Sequence, residues 1–131
     1  MIAVDELDGI ARARLDDAKS LLAAGRFDGA TYVCGYAVEV ALKARICRTL
    51  NWSESPATGG EFAAYKSFRT HELEVLLRLS GQEGSIKQSH FSLWNVVAAW
   101  KADSRYNSIG TARQAATEEL IQATDELLEA L

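Results

Sequence analysis

Leu7, Ile10, Ala11, Leu15, Ala18, Leu21 and Leu22 recur at the three- and four-residue spacing that lines one face of a helix. The spacing predicts a first helix from Asp5 to Ala24, with Asp5 as its N-cap and Gly25 as its stop. A second helix is predicted from Phe27 to Leu50. Between Ala30 and Ala44 only Thr31, Gly35, Glu39 and Lys43 interrupt the apolar residues. A helix apolar on nearly all sides is normally surrounded by other helices. The four exceptions fall at every fourth position, so they form one narrow stripe winding along that helix.

The second half of the chain is less regular. Residues 52–69 form a long connection, broken by Ser53, Ser55, Pro56, Gly59 and Gly60, with a short helical turn expected within 61–68. A third helix is predicted to start at Thr70 as N-cap and to end before Gly81, burying Leu73, Leu76, Leu77 and Leu79. Residues 81–88 read as a loop. A fourth helix is predicted over Ser89–Ala102, with Leu93, Val96, Val97 and Trp100 on one side, followed by a polar stretch over 103–110. Thr111-Ala-Arg-Gln114 matches a capping box and opens the last helix, whose apolar positions run from Ala112 through Ala116, Leu120, Ala123 and Leu127 to Leu131. No strand-like alternation lasts six residues. The pattern predicts an all-α bundle of four long helices plus one shorter helix, in a single domain over residues 1–131.

Composition narrows this picture. A chain of 131 residues with 48 % hydrophobic residues is long and apolar enough to fold without a disulfide or metal staple. Eighteen acidic residues against 14 basic ones give a net charge of −4, and the bases are spread along the chain. That balance argues against a non-specific nucleic-acid coat, which relies on a broadly basic surface, and leaves room for a local basic pocket. Cys34 and Cys47 lie on the same predicted helix, separated by about 20 Å of rise, too far to bridge. They are expected as small core residues. The N-terminus carries Asp5, Glu6 and Asp8 where a signal peptide would be basic and then apolar, and no run of 18 apolar residues occurs. The expectation is a cytoplasmic protein without a membrane span.

Candidate chemistry is sparse. His71 and His90 are the only histidines, and neither belongs to a metal-binding pair. There is no phosphate-binding loop and no nucleophile elbow, so no cofactor or metal is expected. Glu39 and Lys43 stand four residues apart, acid before base. They form either an ion pair on an exposed strip or part of a polar strip facing a cleft or a second subunit. His71, predicted in the first turn of a helix, is either a structural histidine or a site residue. Arg105 and Tyr106 follow a predicted helix end. They either complement the helix dipole or present a planar cation and a stacking ring to a nucleotide.

The segment from Leu22 to Ala44, with its core Gly35-Tyr-Ala-Val-Glu-Val-Ala-Leu-Lys43, resembles the second helix of the HEPN domain family of prokaryotic helical proteins. Thr70-His-Glu-Leu73 is similar to that family's Thr-His-Asp-Leu segment, and Trp100 followed by Arg105-Tyr106 is similar to its Trp…Arg-Tyr segment. The resemblance implies an up-and-down helical bundle that forms homodimers, with a role connected to RNA or nucleotides. It also implies a minimal nucleotidyltransferase as partner protein, in a system of the toxin–antitoxin type. Catalytic relatives are metal-independent ribonucleases that use an arginine followed, after four to six residues, by a histidine.

This chain departs from that pattern. Arg105 is followed by Tyr106-Asn-Ser-Ile-Gly-Thr-Ala-Arg113, with no histidine, and both histidines precede it. The resemblance therefore points to the branch without the nuclease motif, a non-catalytic nucleotide- or RNA-binding protein. Glu39, Lys43, His71, Arg105 and Tyr106 would converge on its ligand site, with no catalytic residue among them. Two alternatives stand beside it: a protein-interaction module without a nucleotide ligand, and a ribonuclease using His71 and Arg105. Apolar surface on the second helix, together with Phe91, Trp94 and Trp100, is the expected dimer face.

Overall fold

A computed structural model describes residues 1–131. The first two helices, α1 (Val4–Ala23) and α2 (Phe27–Thr49), form a hairpin closed by a Schellman turn. Arg26 N–H bonds the Leu21 carbonyl and Gly25 N–H the Leu22 carbonyl, with Gly25 at φ +73°. The hairpin runs antiparallel: Gly29 sits on Leu21 at one end, and Arg48 pairs with Asp5 and Asp8 at the other. The last helix, α6 (Gln114–Ala130), lies along both. Its Thr117, Leu120 and Thr124 meet Thr31 and Cys34 of α2, while Asp125 and Glu129 pair with Arg12 and Lys19 of α1. These three helices, of 20, 23 and 17 residues, are the body of the bundle.

Three short helices complete the bundle: α3 (Leu73–Leu79) packs on α2, α4 (Glu83–Ser89) on α5, and α5 (Phe91–Ala98) on α6. Turns of 3-10 type cover Glu61–Ala64 and Ala102–Tyr106. A two-residue antiparallel ladder pairs β1 (Ile2–Ala3) with β2 (Glu54–Ser55), tying the start of α1 to the long connection. One cluster of 24 buried residues joins all six helices, with Leu15, Leu42, Leu76, Ile86, Val97 and Leu127 almost wholly enclosed. No helix is long and apolar enough to cross a membrane.

The chain is all-α as the periodicity predicts, but it has three long and three short helices instead of four long and one shorter. The predicted loop over 81–88 contains α4, held by the buried Ile86 and by Lys87, whose ammonium bonds Glu74 at 3.1 Å. His90, at φ −135° and ψ 35°, breaks the path between α4 and α5, so the helix expected over 89–102 is only Phe91–Ala98. Three predicted caps do not form: Asp5 lies inside the first turn of α1, whose N-cap is Ala3. The Thr70 hydroxyl accepts the Glu72 N–H at 3.1 Å in a local turn, and α3 begins three residues later, at Leu73. The Thr111 hydroxyl donates to the Ser108 carbonyl at 2.6 Å, and α6 begins at Gln114 without a side-chain cap.

The aromatic dimer face is also corrected. Trp94 is buried, its indole N–H donating to Glu74 at 2.7 Å, and Trp100 is buried against α2; only Phe91 is exposed. The small residues of α2 admit this packing. Cys34 and Cys47 are buried and unpaired, and burial pushes the Cys34 thiol up to about 11.

Gly35 is the tightest point. A Cβ there would lie 1.8 Å from Cε2 of Trp100. Replacing glycine by alanine inside a helix ordinarily stabilises by about 1 kcal/mol. At position 35 the indole must move, and overpacking of this kind costs about 1–3 kcal/mol. Gly35→Ala is expected to lower the urea midpoint and redshift tryptophan emission; an unchanged or raised midpoint would overturn this packing.

Candidate functional site

The polar stripe of α2 faces inward, onto the second half of the chain. The Thr31 hydroxyl lies 3.0 Å from that of Thr117, and Gly35 receives Trp100. Glu39 and Lys43 form their ion pair at 3.6 Å with side chains only 7 % and 13 % exposed, so this is not a surface pair. The pair is roofed by the connection and the segment leading into α3. The Lys43 ammonium stands 5.4 Å and 5.8 Å from the ring centroids of Phe62 and Phe68. His71 Nδ1 makes a short contact with Glu39 Oε1. Glu39 thus meets two basic side chains, as a buried carboxylate requires. His71 keeps 56 % of its side chain exposed, with Nε2 uncommitted.

Arg105 and Tyr106 sit in the second 3-10 turn. The guanidinium lies 4.8 Å from the Tyr106 ring centroid and donates to the Ala102 carbonyl at 3.2 Å. Tyr106 is 79 % exposed. No hydrogen bond, ion pair or ring contact joins this pair directly to Glu39, Lys43 and His71. The five predicted residues therefore form two groups, and two tyrosines stand between them. Tyr36 packs edge-on against His71 at 5.8 Å and against Trp100 at 5.3 Å, and Tyr32 packs edge-on against Tyr36 at 5.1 Å. The Tyr32 hydroxyl donates to that of Tyr36 at 3.4 Å. Burial first, then the adjoining Tyr32 hydroxyl, pushes the Tyr36 phenol up to about 12, against the opposing pull of Arg105.

Beside Arg105 opens a cleft of about 470 Å³, lined by Asp28, Tyr32, Ser104, Arg105, Asn107 and Thr111 among others. The Ser104 hydroxyl is buried without a partner. Asp28 builds the far wall by accepting the N–H groups of Gly110 at 2.7 Å and Ala112 at 2.9 Å, which hold its carboxyl below the usual value. Sequence reasoning missed Asp28, Tyr32, Tyr36 and Ser104. Tyr32 and Tyr36 counted as apolar there, although their spacing of four residues puts both hydroxyls on one side of α2. Asp28 carries no local signal, because its partners lie more than eighty residues away.

The cleft offers a ligand the Arg105 guanidinium for an oxyanion and the Tyr32 ring as an aromatic wall. No three histidine, cysteine, aspartate or glutamate side chains are grouped to hold a metal ion. The chain matches no family model, no curated protein and no solved structure.

Asp28 makes the cleft wall sensitive to acid. Its folded pKa lies below the unfolded value, so its contribution is complete above about pH 4 and is lost as pH falls through the folded pKa. Protection of the Gly110 and Ala112 amides from exchange, taken relative to the intrinsic rate at each pH, should be high at neutral pH and fall in that acid window. In Asp28→Ala protection should be low throughout. Equal exchange in both proteins at neutral pH would show that Asp28 does not hold the wall.

Proposed function

We propose that this chain is a non-catalytic, HEPN-like protein that binds a nucleotide or single-stranded RNA in the Arg105 cleft and works with a minimal nucleotidyltransferase. The observation that carries the reading is the cleft itself, lined by Arg105 and Tyr32, with the exposed Tyr106 ring centred 4.8 Å from the Arg105 guanidinium. Arginine binds phosphate through a planar fork of N–H donors, and a tyrosine ring supports a base by stacking. Glu39, Lys43 and Tyr36 fix His71 at the edge of the same face of α2. Metal-independent RNA cleavage needs one group to take the 2′-hydroxyl proton and another to protonate the leaving oxygen. The stretch after Arg105 offers asparagine, serine and threonine, which hydrogen-bond phosphate but do not exchange protons near neutrality.

One observation favours a second reading, a ribonuclease using His71 and Arg105. Glu39 engages Nδ1 of His71 and leaves Nε2 outward, an arrangement suited to acid–base work. Fluorescence anisotropy with a short single-stranded RNA and with ATP, in chelator, separates the readings. Wild type is expected to bind without cleaving. Arg105→Ala is expected to weaken binding about tenfold, the equivalent of one charge-assisted hydrogen bond. Cleavage that disappears in both Arg105→Ala and His71→Ala would replace this proposal by the nuclease. No binding of either ligand would leave the interaction module.

The homodimer belongs to the same reading. The apolar groove along Ile46, Leu50, Trp52, Tyr65, Phe68 and Leu79, about 550 Å³ in volume, is the surface open to a second copy. Leu50 is 50 % exposed, Tyr65 41 % and Leu79 39 %. Light scattering at micromolar concentration should give twice 14.3 kDa, and Leu50→Glu should halve that mass. A wild-type monomer at high concentration would remove the dimer.

A further inference from the structure

Toward the other end of α2 lies a second recess, of about 310 Å³, between α1, α2 and α6. Arginines form its walls: Arg12 from α1, Arg45 and Arg48 from α2. Its floor is small, since Ala11 and Ala41 are both buried and Leu128 closes one side. Two of the arginines are fixed by acids. Arg12 donates to Glu129 at 2.8 Å and Asp125 at 3.4 Å. Arg48 donates to Asp5 at 3.4 Å and makes a short contact with Asp8.

Arg45 differs from both. It takes part in no ion pair and no side-chain hydrogen bond, and its Nε is buried with no partner. The terminal N–H groups of Arg45 also have no partner within the protein and are not enclosed, so they are the donors that a group entering the recess can meet. The ionisable side chains lining the recess are three guanidinium groups and one carboxylate, Asp8, on a chain whose overall charge is −4. Asp5, Asp8, Asp125 and Glu129 already balance Arg12 and Arg48, which leaves Arg45 as the one guanidinium of the recess without a counter-ion, the complement of an anionic phosphate oxygen. Arginines in this arrangement suit oxyanion recognition through forked N–H pairs.

We propose that this recess binds a phosphate group, free or carried by a small phosphate monoester, with Arg45 as its principal ligand and Arg12 and Arg48 as flanking cations. The site shares no residue with the Arg105 cleft, so it stands or falls separately from the function proposed above.

The test is an amide NMR titration of the full chain with inorganic phosphate, at ionic strength held constant with sodium chloride. Saturable shifts are expected at residues 8–12 and 41–48. The thermal midpoint should rise with phosphate and not with added chloride, because a ligand of the folded state stabilises it by mass action. Arg45→Gln should lose affinity at least tenfold. Without phosphate it should be no less stable than wild type, since an unpaired buried cation has been removed. Arg45→Lys, which keeps the charge but loses the fork, should bind at intermediate strength. Adenosine monophosphate, titrated into Arg105→Ala to silence the cleft, identifies the source. Tighter Arg45-dependent binding than phosphate assigns the site to a monoester, and equal binding assigns it to phosphate itself. No saturable shift in wild type, shifts confined to the Arg105 cleft, or an Arg45→Gln titration identical to wild type would each overturn the proposal. Should Arg45→Gln fail to fold, the wild-type shift map and Arg45→Lys still decide.

Discussion

The indole of Trp100 occupies the volume that a side chain at position 35 would fill. This contact sets where the second half of the chain lies on α2. With the indole seated there, the turn over 102–106 must begin beside Tyr32 and Tyr36, and Arg105 is brought to the mouth of the cleft. The contact also explains the run of small residues on α2. Ala30, Cys34, Ala37, Ala41, Ala44 and Cys47 are all buried, and bulkier side chains would keep α1, α6 and the Trp100 segment from approaching on three sides. Dispersion and apolar burial at such close approach stabilise the bundle without long hydrophobic side chains on its central helix.

A buried carboxylate sits one helical turn beyond this contact. Glu39 is 5 % exposed and would be costly to enclose alone. Lys43 on the same helix and His71 from the segment before α3 both face it, while Lys43 also lies near Phe62 and Phe68. The connection over residues 52–71 has little regular structure, so its position is set by these contacts and by the edge-to-face rings of Trp52, Tyr65 and Phe68. Truncating one member of such a network generally costs more than the pair contributes, because the remaining charge is left without a partner. The network fastens an irregular segment against a regular helix and points the free nitrogen of His71 outward.

How much of this could be read in advance depended on length and periodicity. Helices α1, α2 and α6 each carry several turns of apolar spacing, and their bounds fall within a few residues of those predicted. Helix α4 has one buried residue, Ile86, in seven, too few to register as a stripe. The ladder of Ile2–Ala3 with Glu54–Ser55 is two residues long and shows no alternation. Caps at Thr70 and Thr111 failed because a hydroxyl can bond a nearby backbone group in a turn as readily as at a helix end. Within the candidate site, the Glu39–Lys43 pair was legible because both residues share one helix. The contact of Glu39 with His71 spans 32 positions, and that of Asp28 with the 110–112 backbone more than eighty. No local pattern encodes such distances.

The acidic balance of the chain makes the distribution of its cations informative. Half of the 14 are committed: Arg12, Arg14, Lys19, Lys43, Arg48, Arg78 and Lys87 each lie against one or more carboxylates. Paired charges on an exposed surface contribute little to stability and leave little field at a distance. Arg105 and Arg45 are different, since each lines a recess and neither meets a carboxylate. Arg105 rests on a carbonyl and a tyrosine ring, which leaves its charge uncancelled; Arg45 has an enclosed N–H with nothing to accept it. In a molecule of net charge −4, diffuse attraction for a polyanion is absent, so any anion must be drawn by a local guanidinium in a partly desolvated pocket. Such pockets recognise individual phosphate groups by geometry, with a weaker dependence on salt than a basic surface has. On the binding proposed for both recesses, selectivity would rest in the shape around Arg105 and Arg45, and the walls that shape them would be as consequential as the arginines themselves. Those walls are Asp28 with its loop at the first and the alanine floor at the second.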